Sequence, residues 1–558
     1  MNILKRLEVV NSLSRKNPNW IHRDLFRLLH DEEIWTLAYQ NTKRNKGSLT
    51  PSVDGLTYND IDIESIQKLR EKVVKEKYQF QPVRQIFTPK GNGKLRPLGI
   101  PSANDKIVQE VIRMILEAIY EPIFDKDSYG FRPKRGCHHA LQHVERVFRW
   151  VDWIIEGDIE SAYPSINHQI LCKFLEKRIG DFRFMSLIRK SLKCGIQDGK
   201  LLSHSSLGIP QGSIVSPILS NIYYHEMDLW VREKAVEINQ PGSSLKSVEY
   251  KKVEHKISKY THELEDIPQN SKEYKETVKL LKTERKRRST VPSLKQPSIE
   301  IHYVRYADDW MLGIKGKREV AVRLKEEIAI FLKSTLNQEL HSEKTKITNI
   351  RQGKATFLGY EIYLPQKKQL AVYTNHGTRT LRRSNPMLRF DIPLERILNR
   401  MIERGYIKRT HKGIRPISKQ NYTSLEDKVI VAHFRSVWLG MANYYAGCTN
   451  IQKLQYIHYL LKFSCAMTLG HRHRTSISKI FAKHSKTLRV EIKVKTPKWI
   501  EFPDRTSWSI KERKWLINTP IYDPLNLFAN NVSQSARGRS CQICGATHKV
   551  EMHHIKHV

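Results

Sequence analysis

The sequence predicts a multidomain α+β protein in which helices at both ends enclose a central block of strands. Three observations carry that expectation. The chain has 558 residues, more than one hydrophobic core usually serves. Hydrophobic residues make up 39% of it, enough for packed cores and too many for a disordered polyelectrolyte. The apolar spacing is helical over 1–80, strand-like in several stretches between 83 and 373, and helical again from about 380 to 485.

Taken in order, the stretches around Leu25–Leu29 and Ile34–Ala38 have helical spacing, and the turn-rich KGSLTPSVDGLT at 46–57 reads as a loop. Residues 83–100 read as two strands around Asn92-Gly93, a strong hairpin signal. IVQEVIRMILEAIYEPIF, within 105–124, reads as a helix with a broad apolar face. VDWIIEGDI reads as a buried strand, with a turn and helix after it by 166. A Gly/Pro loop and apolar helix occupy 207–230. A Lys/Glu-dense helical insertion fills 231–298, ending in a Ser/Pro/Lys linker; a solvated helix with no function of its own is the favoured reading there. A hairpin follows at 299–314, in which Ile299, Ile301 and Tyr303 alternate with polar residues as in a half-buried strand. ATFLGYEIY at 355–363 and QLAVY at 369–373 read as further strands. Trp499, Trp508 and Trp515 lie among lysines in 490–535, and the last stretch turns to Cys and His.

Lys and Arg number 96 against 57 acids, a net charge of +39. Such an excess self-repels unless a polyanion neutralises it, and nucleic acid is the expected partner. The seven cysteines are odd in number and mostly scattered, unlike a secreted disulfide framework, so a reducing compartment is expected. No apolar run reaches the length of a membrane span. The basic N-terminal segment is read as part of the protein and not as a transit peptide.

The chemistry concentrates in YVRYADDWMLG, where Asp308 and Asp309 sit side by side at the tip of the 299–314 hairpin. Two adjacent carboxylates repel, and a hard divalent cation such as Mg²⁺ resolves the conflict. Asp158, at the end of another apolar strand, supplies a third. Three carboxylates at adjacent strand ends can hold two metals about 4 Å apart for in-line phosphoryl displacement. Taken alone, an Asp-Asp pair is also an ordinary turn.

The ordered series TPKGNGKLRPLGIPS (88–102), YGFRPKRGCHHAL (129–141), GDIESAYPSI (157–166), GIPQGSIVSPILSNIY (208–223), RYADD (305–309), LHSEKTKI (340–347) and FLGYEI (357–362) resembles the motifs of reverse transcriptases, more narrowly the reverse transcriptase/maturases encoded by group II introns. The resemblance implies a right-hand polymerase of fingers, palm and thumb, with a helical N-terminal extension (1–80), fingers and palm (81–365), a thumb/maturase domain (366–490), a DNA-binding region (491–538) and an incomplete H-N-H nuclease or zinc domain (539–558).

Residue by residue, it implies two Mg²⁺ ions on Asp158, Asp308 and Asp309, and a dNTP site of Lys94, Arg96, Tyr163 and Gln211. Tyr163 would exclude a ribose 2′-hydroxyl. Phe357, Leu358, Gly359 and Tyr360 match the primer grip. In VAHFRSVWLGMANYYAGCTN, helical spacing puts Phe434, Val437, Trp438, Met441 and Tyr445 on a core face and leaves Arg435, Asn443 and Tyr444 for RNA contact. The strip RHRTSISKIFAKHSK at 472–486 suits a phosphate backbone. In the tail, Cys541 and Cys544 form a zinc half-site, and His553 and His554 match an H-N-H metal position and general base; the alternative is a local Cys2His2-like Zn²⁺ site.

The implied activity is RNA-directed DNA synthesis, with binding of group II intron RNA, assistance to its splicing, and retrohoming into target DNA. The rivals are a splicing-only RNA-binding maturase and a site-specific DNA endonuclease. Lys- and Ile-rich usage suits an AT-rich mitochondrial or bacterial genome.

Overall fold

The computed structural model describes residues 2–45, 47–89, 95–198, 201–203, 206–241, 245–288, 290–291, 298–365, 369–375, 378–384, 387–492, 498–504 and 515–517. Helices α1 (Ile3–Lys16), α2 (Glu32–Lys43) and α3 (Ile63–Val74) form the N-terminal layer. Each starts at an Asn or Asp whose side chain accepts a hydrogen bond from a first-turn amide: Asn2, Asp31 and Asp62. α1 and α2 pack on α4 (Ala103–Tyr120), capped by Ser102 and buried on nearly every side; its buried Asp105, Gln109 and Glu110 accept hydrogen bonds from Tyr78, Ser213 and Asn41. α4 begins before the expected 105 and stops at Tyr120: Glu121 keeps helical backbone and donates to the Glu117 carbonyl, but Pro122 supplies no amide to continue the ladder.

The fingers hairpin pairs β1 (Val83–Pro89) with β2 (Leu95–Ile100), opposing Thr88 and Arg96. The expected Lys94 lies outside the described residues, as does the side chain of Arg96. The palm is a five-stranded sheet that includes β3 (Ser128–Tyr129) and β4 (Trp153–Gly157). Two-stranded β5 (Ile196–Asp198) and β6 (Leu201–Ser203) extend the fingers sheet instead. The palm is completed by β7 (Glu300–Tyr306), β8 (Asp309–Lys315) and β9 (Lys346–Asn349), in the order β3-β7-β8-β4-β9. All pairings are antiparallel except the short β3–β7 contact.

The palm strands are buried on both faces, not on one as the alternation at 299–303 suggested. Ile155, Tyr303, Trp310 and Leu312 join the core shared with the N-terminal helices; Ile154, Val304 and Met311 join the core shared with the thumb. The runs WII and WMLGI carry this, since a strand covered on both sides reads as nearly continuous apolar sequence.

Helices α5 (Cys137–Val147), α6 (His168–Glu176), α7 (Phe182–Leu192) and α8 (Ser216–Ile238) pack around the palm. α8 runs past 231, so the charged insertion leaves the fold later than expected. Reciprocal backbone hydrogen bonds between Gln240 and Ile299 close its base. Its helices α9 (Val248–Asp266) and α10 (Lys272–Arg288) form a hairpin with a small core of Val253, Ile257 and Leu281. After α11 (Arg318–Leu336) come β10 (Ala355–Phe357) and β11 (Tyr360–Tyr363).

β12 (Gln369–Asn375), the strand expected at 369–373, pairs with β13 (Thr378–Ser384). The region expected to be helical from 380 holds strands as well: β14 (Arg389–Asp391) joins β10 and β11, and β15 (Ile407–Thr410) pairs with β16 (Gly413–Pro416). The thumb helices are α12 (Leu394–Glu403), α13 (Asp427–Tyr444), α14 (Ile451–Arg472) and α15 (Ile477–His484). Among the described residues no helix is long and apolar enough to cross a membrane.

Candidate active site

The two acids of YADD sit at a two-residue hairpin tip. Tyr306 and Asp309 pair across β7 and β8, leaving Ala307-Asp308 as the turn. Ala307 has φ +56°, a conformation that costs an L-residue roughly 1–2 kcal/mol. The fold holds it there from both sides. Its amide donates to the Tyr129 carbonyl at 3.2 Å, and its carbonyl accepts from Arg305 Nη1 at 2.8 Å.

Arg305 and its ion-pair partner Asp228 on α8 are both fully buried. Arg305 Nε reaches Asp228 Oδ1 at 2.7 Å, Nη1 reaches Asn221 Oδ1 at 3.1 Å, and Nη2 reaches Ser128 Oγ at 2.8 Å. Tyr303 Oη also donates to Asp228 Oδ1 at 2.9 Å. The arginine thus satisfies its donors inside the palm while fixing the backbone of the acidic turn. Sequence reasoning passed over Arg305, although it stands next to YADD. Its signal was a charged residue within an apolar strand.

Asp158 is delivered by β4. Gly157 pairs with Trp310 across the sheet, and a Cβ on Gly157 would fall inside the indole. Glycine is therefore needed for Trp310 to cross the strand end and for Asp158 to lie beside the β7–β8 tip. The Asp158 carbonyl accepts from the His341 amide at 2.9 Å, and Lys344 Nζ sits 2.7 Å from Asp158 Oδ2. LHSEKTKI thus wraps under Asp158, and Lys344 is a second residue that sequence reasoning quoted without a role.

Asp309 feels the other two carboxylates. Asp309 is raised to about 6, by poor hydration in the cleft and then by the charges of Asp308 and Asp158, with Lys344 opposing. Asp309 is open at its surface, yet it lines a cavity of about 590 Å³, so accessibility and weak hydration coexist. An acid held in a poorly hydrated cleft beside two further carboxylates belongs to a donor set suited to a hard divalent ion.

The other expected residues divide. Tyr163 and Gln211 lie on loops that are stitched together: Ile209 N donates to Tyr163 O at 3.0 Å and Gly208 N to Ile166 O at 2.8 Å. Gln211 O in turn accepts from Gly99 N at 2.6 Å, joining this loop to the fingers strand β2. Ser213 Oγ and Ile214 N both donate to Gln109 Oε1, so α4 sets the loop position.

In the grip, Leu358 (φ +46°) and Gly359 (φ +73°) form the turn between β10 and β11, with Phe357 opposite Tyr360. Two positive φ values are the signature of a type I′ hairpin turn, which fits glycine at the second position. Phe357 and Tyr360 are buried in the thumb-side core, so only the turn residues present themselves fully to the cavity. Tyr444 Oη donates to Leu358 O at 2.6 Å, and Tyr360 Oη donates to Tyr444 O at 2.5 Å.

Tyr444 therefore belongs to the grip wall, opposite Arg396 and Arg400 of α12 along the same cavity. Arg435 is committed to the protein: Nη1 donates to Glu501 O at 2.9 Å. Asn443 is exposed, as expected of a contact residue. Trp515 is not free for DNA. It lies against Tyr360 and Phe390, and its Nε1 donates to Glu145 Oε2 at 2.5 Å. His138 accepts from Leu516 N and donates through Nε2 to Tyr444 O at 2.8 Å, tying α5 to the end of the thumb helix α13. Cys541, Cys544, His553 and His554 lie outside the described residues.

A palm sheet presenting three carboxylates, flanked by a fingers hairpin and a helical thumb, defines a right-hand nucleic-acid polymerase. The comparisons agree. The family described as reverse transcriptase (RNA-dependent DNA polymerase) matches residues 88–362, and that described as type II intron maturase matches 385–526. The chain is 31% identical to the group II intron-encoded protein LtrA of Lactococcus lactis subsp. cremoris, over 99% of this chain and 93% of that one. It is 31% identical to an uncharacterized 91 kDa protein in a cob intron of Schizosaccharomyces pombe, covering 100% of this chain and 68% of that one. It is 30% identical to a putative COX1/OXI3 intron 1 protein of Saccharomyces cerevisiae, over 98% and 66%. The chain belongs to the group II intron-encoded reverse transcriptase/maturases, and its enzymatic activity is RNA-directed DNA polymerisation.

Proposed function

We propose that Asp158, Asp308 and Asp309 are the metal-binding carboxylates of this polymerase and that the chain copies group II intron RNA into DNA after assisting its splicing. The convergence of the three acids, with Asp309 raised to about 6 by poor hydration in the cleft and then by the charges of its neighbours, is the observation that carries the reading. Two Mg²⁺ ions bound there supply Lewis-acid stabilisation of the attacking and leaving oxygens in nucleotidyl transfer.

The protein's own part is positioning. Arg305 fixes the acidic turn from below. Tyr163 and Gln211, held on mutually bonded loops, frame the base and sugar of a dNTP. Lys94 and Arg96 are assigned to the triphosphate, for which a guanidinium fork is well matched. The Leu358-Gly359 tip, Tyr444, Arg396 and Arg400 hold the primer end along the cavity.

The domain division proposed is the one read from the sequence, with the insertion beginning after α8. Intron RNA is assigned to the N-terminal helices and thumb. Target DNA is assigned to the region following the thumb, and nuclease or Zn²⁺ chemistry to the Cys/His tail. Bacterial and organellar hosts both suit this reading, with the mitochondrion favoured by composition.

The test is RNA-templated extension of a DNA primer by the purified chain, with sequencing of the RNA that copurifies. The expected result is dNTP-dependent extension and recovery of one structured intron. Bulk RNA alone would overturn the intron-specific part, and splicing assistance without extension would favour the splicing-only reading.

A further inference from the structure

Three helix ends of the thumb meet at Asp427, His473 and His484, and their ligand-type atoms all lie within 4.8 Å of one another. Asp427 opens α13, His473 caps the C-terminus of α14, and His484 is the last residue of α15. His473 Nε2 lies 2.8 Å from Asp427 Oδ2, and His484 Nε2 lies 3.9 Å from the same oxygen.

His484 is the telling member. It is only 8% exposed, and its Nδ1 contacts the Arg489 carbonyl at 3.2 Å. A carbonyl can only accept, so Nδ1 carries the proton and Nε2 keeps its lone pair. That Nε2 is buried with no hydrogen-bond partner, and it is aimed at Asp427. Buried polar atoms are rarely left unpaired. An imidazole that donates one nitrogen to a backbone carbonyl and offers the other is the arrangement metal-ligating histidines adopt.

We propose that Asp427, His473 and His484 bind a Zn²⁺ ion that staples these three helix ends. Two imidazoles and a carboxylate are a zinc donor set, with the fourth tetrahedral position left to water. The C-terminal ends of α14 and α15 both favour a cation. Ligands about 2 Å from a shared ion stand roughly 3.3 Å apart, so His473 draws back slightly and His484 moves in. Arg472 Nε, 2.9 Å from Asp427 Oδ1, opposes the ion's charge and at the same time steadies the carboxylate. The consequence of binding is a fixed α15, which carries the basic strip at 472–486 and thus sets where that strip meets a phosphate backbone.

The test uses the full chain with Cys541→Ser and Cys544→Ser, which removes thiolate sites, in excess Mg²⁺ to occupy the palm acids. After chelator treatment it is titrated with Zn²⁺ by calorimetry and with Co²⁺ by visible absorption. The expected result is one equivalent bound, with Co²⁺ ligand-field bands and no thiolate charge transfer. Affinity should fall by more than about tenfold in both His484→Gln and His473→Gln. His473 is partly exposed, so its variant guards against misfolding at His484. Absence of binding, or undiminished affinity in either variant, would overturn the proposal and leave a hydrogen-bonded His-Asp pair only.

Discussion

Two hairpins border the polymerase cavity, one through Asp309 and one through Leu358 and Gly359, and their tips are held in opposite ways. The Ala307-Asp308 tip is braced from inside its own domain, by a fully buried Arg305 and Asp228. The Leu358-Gly359 tip is braced from another domain, by the thumb tyrosines Tyr444 and Tyr445, which reach its carbonyls at 2.6 and 3.4 Å. Both use left-handed backbone. The first is therefore set once the palm folds, whereas the second takes its position only when the thumb is docked. On the proposed grip assignment, the acids take their position from the palm and the primer end takes its position from the thumb.

The comparison can be broken most severely at Arg305. Arg305→Ala leaves Asp228 buried without its partner, and the expected cost is roughly 3–5 kcal/mol of stability, read by denaturant unfolding, with polymerase activity lost alongside. Next in size is Gly157→Ala, whose methyl meets Trp310. Overpacking of this kind costs about 1–3 kcal/mol, and the displaced Asp158 should lower the extension rate more than the melting temperature.

The thumb-held tip should respond more mildly. Tyr444→Phe removes one hydrogen bond, worth about 1 kcal/mol, so primer KM should rise roughly fivefold with the melting temperature nearly unchanged. Equal loss of stability in Arg305→Ala and Tyr444→Phe would erase the distinction between the two tips.

The pH dependence follows from Asp309. Its folded value, about 6, exceeds the ordinary carboxylate value, so the folded state takes up its proton more readily than the unfolded state. Without metal, its contribution to stability is present at low pH and is lost as pH rises through about 4 to 6. Bound Mg²⁺ favours the ionised form, so the Mg²⁺ concentration needed for half-maximal extension should rise as pH falls below about 6, as measured by metal titrations at several pH values.

The smallest effect is expected from the α9–α10 hairpin, which has its own small core and a backbone-closed base. Replacing 245–291 with a short linker should leave extension on a simple template within about twofold, because distant sites behave independently.

The acidic residues were legible through the ordered series of motifs around them and its resemblance to reverse transcriptases, since an Asp-Asp pair alone reads as an ordinary turn. What supports them was not. Arg305 is bound by residues from β3 and α8, Gln109 holds a loop about a hundred residues away, and Trp515 returns to the palm-side helix α5. No local spacing encodes such partners. The hydrogen bonds of Tyr360 to the Tyr444 carbonyl and of Arg435 to the Glu501 carbonyl were hidden for the same reason. A motif gives residue type, but burial and commitment to a carbonyl depend on which distant element packs against it. The strands after 380 were missed because short hairpins within a basic stretch carry little periodicity.

The central claim is that Asp158, Asp308 and Asp309 act as one metal-binding group. Single-turnover extension of a DNA primer on an RNA template tests it most directly, in Asp158→Asn, Asp308→Asn and Asp309→Asn, each shown to be folded and to bind RNA. The account predicts that each loses at least about a thousandfold in rate, equivalent to several kcal/mol of transition-state stabilisation. Wild-type rates in any folded variant of the three would contradict it.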